Sequence, residues 1–102
     1  MSITLKPGLT FSVAGAVTVF PGNIDGGLLQ NPLSAANQGL GAAEVLLVDP
    51  INTPGNGAGD GWGTTFVLQP GEKWIPFPGQ NSPTRVNAAS SGHQFSAVYY
   101  VA

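Results

Sequence analysis

His93 is the only histidine in the chain, and Ser90, Ser91 and Ser96 all stand within three residues of it. Histidine beside serine is the start of a nucleophilic apparatus, which also needs a carboxylate to orient the ring. No Gly-x-Ser-x-Gly elbow marks one of these serines as a nucleophile. Next to the turn residues Ser90-Ser91-Gly92, His93 reads as a turn side chain facing solvent, and a small hydrolase using it is the third of three functional readings. The five carboxylates, Asp25, Glu44, Asp49, Asp60 and Glu72, are scattered over apolar runs and loops, with no pair set apart for general acid and base work. Gly55-Asn-Gly-Ala-Gly-Asp-Gly-Trp-Gly63 lacks the Gly-Lys-Ser/Thr of a phosphate loop, and no helical pattern follows it. As a calcium loop it offers one carboxylate, Asp60, where the ion takes about 6–8 oxygens. Without cysteine there is no disulfide framework, thiol chemistry or thiolate metal site. The chain is read as having no catalytic residue, cofactor or metal.

Aromatic side chains are the remaining chemistry. Trp62 and Trp74 flank an apolar run, and with Asp60 they form a candidate sugar-stacking platform. Tyr99 and Tyr100 are neighbours on a strand and point to opposite faces. Tyr99 is expected in the core beside Phe95, and Tyr100 on the second face or at an interface.

Charge says more. Only 8% of the residues are charged, where ordinary soluble domains carry about 25%. A free monomer relies on charge to stay unassociated, so much of this surface is expected to lie against other subunits. The other possibility is a monomer covered by Ser, Thr, Asn, Gln and Gly. Lys6, Lys73 and Arg85 are too few to neutralise many phosphates, which argues against nucleic acid. Pro7-Gly8 and Pro21-Gly22 cut the uncharged stretch between Lys6 and Asp25 below membrane-spanning length. The Pro-Gly after Lys6 likewise breaks any signal-peptide pattern.

These residues must be positioned by strands. Fifteen glycines and nine prolines beside 42% apolar residues describe short strands joined by turns, not a disordered chain. Pro-Gly occurs five times, at Pro7, Pro21, Pro54, Pro70 and Pro78, and each pair suits the centre of a type II turn. Gln94 to Val101 alternates, with Phe95, Ala97, Tyr99 and Val101 on one face. Thr84 to Ala88 alternates too, and the two are expected to pair as a central hairpin closed by Ser90-Ser91-Gly92. Ser2–Leu5, Thr10–Phe20 (bent at Gly15), Ala43–Val48 (buried on both sides) and Gly63–Gln69 read as further strands. Pro76 and Pro78 place Lys73 to Phe77 at a sheet edge or between sheets. Two long connections remain, Pro21–Gly41 and Pro50–Gly61, the first with room for one helical turn from Ser34 to Gln38. The expected fold is a single all-β domain over residues 1–102, an antiparallel, jelly-roll-like β-sandwich with two long Gly/Pro-rich loops.

Leu68, Pro70-Gly71-Glu72, Trp74, Arg85-Val86-Asn87-Ala88, Gly92 and Phe95 to Tyr100 together form a pattern that resembles small phage virion proteins. It is similar to the β-sandwich of capsid decoration (cement) proteins over about a third of the chain, Phe66 to Val101. The resemblance implies no catalysis and no cofactor, and a function carried by surfaces. The partners it implies are the major capsid protein and further copies of the chain, as dimer or trimer. The place it implies is the capsid surface of the virion, and the host cytoplasm during assembly. Contact residues are expected in the N-terminal segment (Ile3, Leu5, Leu9), in the leucine-bearing connection (Leu28, Leu29, Leu33, Leu40), and at Trp62, Trp74 and Tyr100. The second reading is a carbohydrate-binding or host-adhesion module, such as a fibre or capsid-surface head.

Overall fold

Four pairings, one nested inside the next, organise the chain. The computed structural model describes residues 16–33, 44–55, 63–89 and 93–101, and the backbone of 2–11. Among the described residues are eight strands and no helix: β1 (Ser2–Phe11), β2 (Val17–Phe20), β3 (Gly26–Gln30), β4 (Leu46–Asp49), β5 (Phe66–Leu68), β6 (Lys73–Trp74), β7 (Thr84–Asn87) and β8 (His93–Val101). β1 pairs with β8, β2 with β7, β3 with β6 and β4 with β5, all antiparallel. The chain is thus one long hairpin rolled up. Two further pairings, β3 with β8 and β4 with β7, close the roll into sheets ordered β1-β8-β3-β6 and β2-β7-β4-β5. This is the strand order of a jelly roll, and the expected all-β sandwich is observed.

The two inner faces share one core, built from Val19, Phe20, Ile24, Leu29, Leu46, Val48, Leu68, Val86, Ala88, Phe95 and Ala97. Tyr99 packs on it as expected, its ring meeting that of Phe20 edge-to-face at 6.0 Å. Each fully buried aliphatic or aromatic side chain contributes about 1.5–3 kcal/mol. β4 is buried on both faces, also as expected. Leu46 and Val48 enter the core. Leu47 is equally buried on the outer side, where the backbone of Pro54 is tied to Asn87.

The expected hairpin is not formed. β7 and β8 belong to opposite sheets, and the chain between them crosses the sandwich. Alternation reports only that one face of a strand is buried. In a sandwich, consecutive strands on opposite sheets carry the same pattern as hairpin partners. The five Pro-Gly pairs also divide. Pro70-Gly71 and Pro78-Gly79 are type II turns: Gly71 and Gly79 have φ of 88° and 74°, closed by Glu72 N–H to the Gln69 carbonyl (2.9 Å) and Gln80 N–H to the Phe77 carbonyl (3.3 Å). After Pro21-Gly22 the positive φ, 62°, falls on Asn23 instead. Pro7-Gly8 makes no turn. It lies inside β1, where the register against β8 shifts between Lys6 and Leu9, and so acts as a bulge.

The first long connection contains a strand, β3, that its glycines conceal. A Cβ on Gly26 would lie 2.5 Å from the Tyr100 ring, and one on Gly27 2.7 Å from the Val98 carbonyl oxygen. The residues that lower strand propensity are the ones that let β3 lie against β8. Gly26→Val is expected to destabilise the domain by about 1–3 kcal/mol through overpacking, read as a lower urea midpoint at an unchanged m-value. The expected turn from Ser34 to Gln38 and the bend at Gly15 fall outside the described residues. β6 takes the sheet edge that its prolines predict.

Candidate functional site

Two buried polar centres and two surfaces poor in charge are the features of this fold with functional content. The first centre is His93. It opens β8 and is fully buried, which corrects the expectation of a solvent-facing turn histidine. Its Nε2 lies 2.8 Å from Asn31 Oδ1. The Asn31 amide nitrogen donates to the carbonyls of Leu68 (2.9 Å) and Glu44 (3.2 Å). With the amide so oriented, Oδ1 is the acceptor and Nε2 carries the proton. Nδ1 faces Glu44 Oε1 at 3.7 Å. Burial pushes the imidazole below its usual range, and the Glu44 carboxylate offsets this only in part. The main chain of Asn31 is engaged as well, accepting from Gly71 N–H (2.7 Å) and donating to the Glu72 carbonyl (3.0 Å). Asn31 therefore ties the end of β3 to β5, β8 and the β5–β6 turn. An imidazole sealed from solvent in this way serves to hold strands together.

The second centre is Asp49, at the end of β4 and fully buried. Its Oδ1 accepts from the backbone N–H groups of Ile51 (2.9 Å) and Asn52 (2.7 Å), as Asp does at the head of a turn. The hydroxyls of Thr64 (3.0 Å) and Thr65 (2.8 Å) complete the set, and Asn52 Nδ2 donates to Thr64 Oγ1 (3.0 Å). Burial alone would raise this carboxyl, but the converging donors outweigh it and hold it below its usual range. The carboxylate clasps the two ends of the β4–β5 connection. Among the described residues no group of three or more His, Cys, Asp or Glu is placed to hold a metal ion.

The residues expected to make contacts are distributed as follows. Leu29 is fully buried in the core, which removes it from any contact surface: it alternates with Leu28, so only one of the pair faces outward. Leu28 and Tyr100 are half-buried on the outer face of the first sheet. In register, Ile3, Tyr100 and Gly26 form one row across β1, β8 and β3, and Leu5, Val98 and Leu28 the next. Leu9 stands opposite Phe95. On this face the outward positions of β8 and β3 add Gln94, Ser96 and Gln30, with no charge among them. The fold thus brings four of the expected contact positions, Ile3, Leu5, Leu28 and Tyr100, into adjoining rows.

Leu33 is 67% exposed and lies beside Gly71 at the β5–β6 turn. Trp74 is half-buried against the core, with its ring between those of Phe66 and Phe77. Those two rings, and the exposed Val67 and Ile75, are not among the expected contact residues. Their exposure follows from β5 and β6 being edge strands; prolines announce the edge at β6, and no such residue announces it at β5. Leu40, Trp62 and Asp60 lie outside the described residues. Comparison of the chain with protein-family models, with curated proteins and with solved structures finds no match.

Proposed function

We propose that this chain is a structural virion protein that decorates and stabilises a phage capsid, binding the major capsid protein and its own copies. The observation that carries the reading is the outer face that β8 and β3 present, where Gln94, Ser96, Val98, Tyr100, Leu28 and Gln30 carry no charge and Lys73 of the edge strand β6 stands at its margin, on a chain with only eight charged residues. Strands about 4.8 Å apart place Tyr100 beside Gly26 and Val98 beside Leu28 there, with Ile3 and Leu5 of β1 at the register positions next to them. Such a face suits dry contact with a protein shell better than prolonged contact with water. The mechanism is area: about 1,200–2,000 Å² per stable contact, repeated around the shell so that many modest contacts act together. Jelly rolls serve both capsid proteins and lectins, and a fold does not fix a role. The row of rings at Phe66, Trp74 and Phe77 supports a second reading, a glycan-binding or host-adhesion module.

Quantitative mass spectrometry of purified virions tests the proposal. The expected result is this chain in simple ratio to the major capsid protein. Its absence from virions overturns decoration. Absence together with glycan binding lost in Trp74→Ala moves the assignment to the second reading.

A further inference from the structure

The side of the sandwich closed by β5 and β6 leaves apolar surface in water. The Phe66 ring lies 4.7 Å from that of Trp74, and Trp74 meets Phe77 edge-to-face at 5.9 Å. Phe66 is 46% exposed and Phe77 58%, and Val67 (40%) and Ile75 (69%) flank them. Alternation explains the shape. Phe66 shares its side of β5 with the core residue Leu68, and Trp74 also faces the core. Val67 and Ile75 turn the other way, so the apolar surface wraps around the edge as a ridge.

We infer that two copies of this chain pair through this ridge about a two-fold axis. The inference rests on the reading above that the chain works by contact, and it assigns the β5–β6 edge, which adjoins at β6 the sheet face proposed for the shell. A single patch that meets itself requires two-fold symmetry. The area fits. Four large side chains about half exposed present on the order of 400 Å², and two copies on the order of 800 Å². That is close to the apolar share, somewhat over half, of a standard interface of about 1,600 Å². The rim fits as well: Glu72 and Lys73, both exposed, are adjacent and of opposite sign, so a second copy meets no net like charge.

Pairing by strand addition is the poorer alternative. Pro70, Pro76 and Pro78 bracket the two-residue β6 and lack N–H groups. On the opposite edge, β1 is interrupted by Pro7 and by its register shift. Side-chain contact at the ridge remains.

Sedimentation velocity on the whole chain, up to about 100 µM, is the test, since the expected dissociation constant is micromolar in order. The wild type sediments as a monomer–dimer mixture. Ile75→Ser/Phe77→Ser, at two positions more than half exposed, keeps its circular dichroism spectrum and melting temperature. Its self-association weakens about 30-fold or more, as loss of central anchors does. Phe77→Lys alone has the same effect and serves if the double variant does not fold. A wild type monomeric throughout, or a folded variant that dimerises like the wild type, overturns the inference. A monomeric wild type present in virions removes the ridge pairing alone. A ridge-dependent dimer absent from virions removes decoration alone.

Discussion

Asp49→Ala lowers the stability of the domain by about 3–4 kcal/mol, because two backbone amides and two hydroxyls lose a buried, charged acceptor at once. The amides of Ile51 and Asn52 and the hydroxyls of Thr64 and Thr65 converge on this carboxylate from both ends of the β4–β5 connection. With the clasp gone, that connection loses its hold on the outer face of the second sheet, where Leu47 is fully buried. For a domain of this size the loss corresponds to roughly 15 °C or more in Tm. Acid gives an independent reading of the same group. Its folded value lies below the ordinary 3.8, so its stabilisation is complete above that value and is lost as pH falls through the folded value. Asp49→Asn keeps one acceptor oxygen for the turn amides but cannot titrate. It is expected to cost less than Asp49→Ala and to flatten the stability profile below about pH 4. Urea melts of the three proteins across acid pH measure both effects. A variant as stable as the wild type would show that the clasp is dispensable.

The features legible in the sequence are those that a strand displays locally. Phe95, Ala97 and Tyr99 were assigned to one face and stand on it. The prolines of the Lys73–Phe77 segment placed it at an edge, which β6 occupies. What stayed hidden depends on distant partners. β3 was masked by Gly26 and Gly27, whose missing side chains make sense only once Tyr100 and Val98 are beside them. β7 and β8 were paired with each other because alternation cannot tell a neighbour in the same sheet from a strand across the core. The polar centres were invisible for the same reason. His93 meets Asn31 across 62 positions, and Asp49 takes hydroxyls from 15 and 16 positions away. Of the surface residues, Ile3, Leu5, Leu28 and Tyr100 were identified singly, and only the register shows that they adjoin. The Phe66–Phe77 ridge needs β5 as well as β6 at an edge, and nothing in the Gly63–Gln69 pattern tells an edge strand from an interior one.

Asn31→Ala is the companion experiment, and its signature is a pH profile. The substitution strands the buried Leu68 carbonyl, the partly buried Glu44 carbonyl and the Nε2–H of His93, at about 3–4 kcal/mol in total. That loss alone would show only that a buried amide is useful. The titration of His93 separates the role of the ring from mere packing. Its folded value is depressed from 6.5, so the unfolded chain binds the extra proton first. The stabilisation is therefore present above about pH 6.5 and lost as pH falls through the folded value, with a slope of up to about 1.4 kcal/mol per pH unit. This window lies above that of Asp49, and the two groups can be read from one series of melts. Asn31→Asp reverses the sign at the imidazole. A carboxylate accepting from Nε2–H favours the charged ring, and the loss below about pH 6.5 shrinks or becomes a gain. The same replacement also turns carboxylate oxygen toward the Leu68 and Glu44 carbonyls, so it remains less stable than the wild type at neutral pH. A wild type whose stability is flat between about pH 7 and 5, or an Asn31→Asp profile parallel to it, would contradict a buried His93 seated on Asn31.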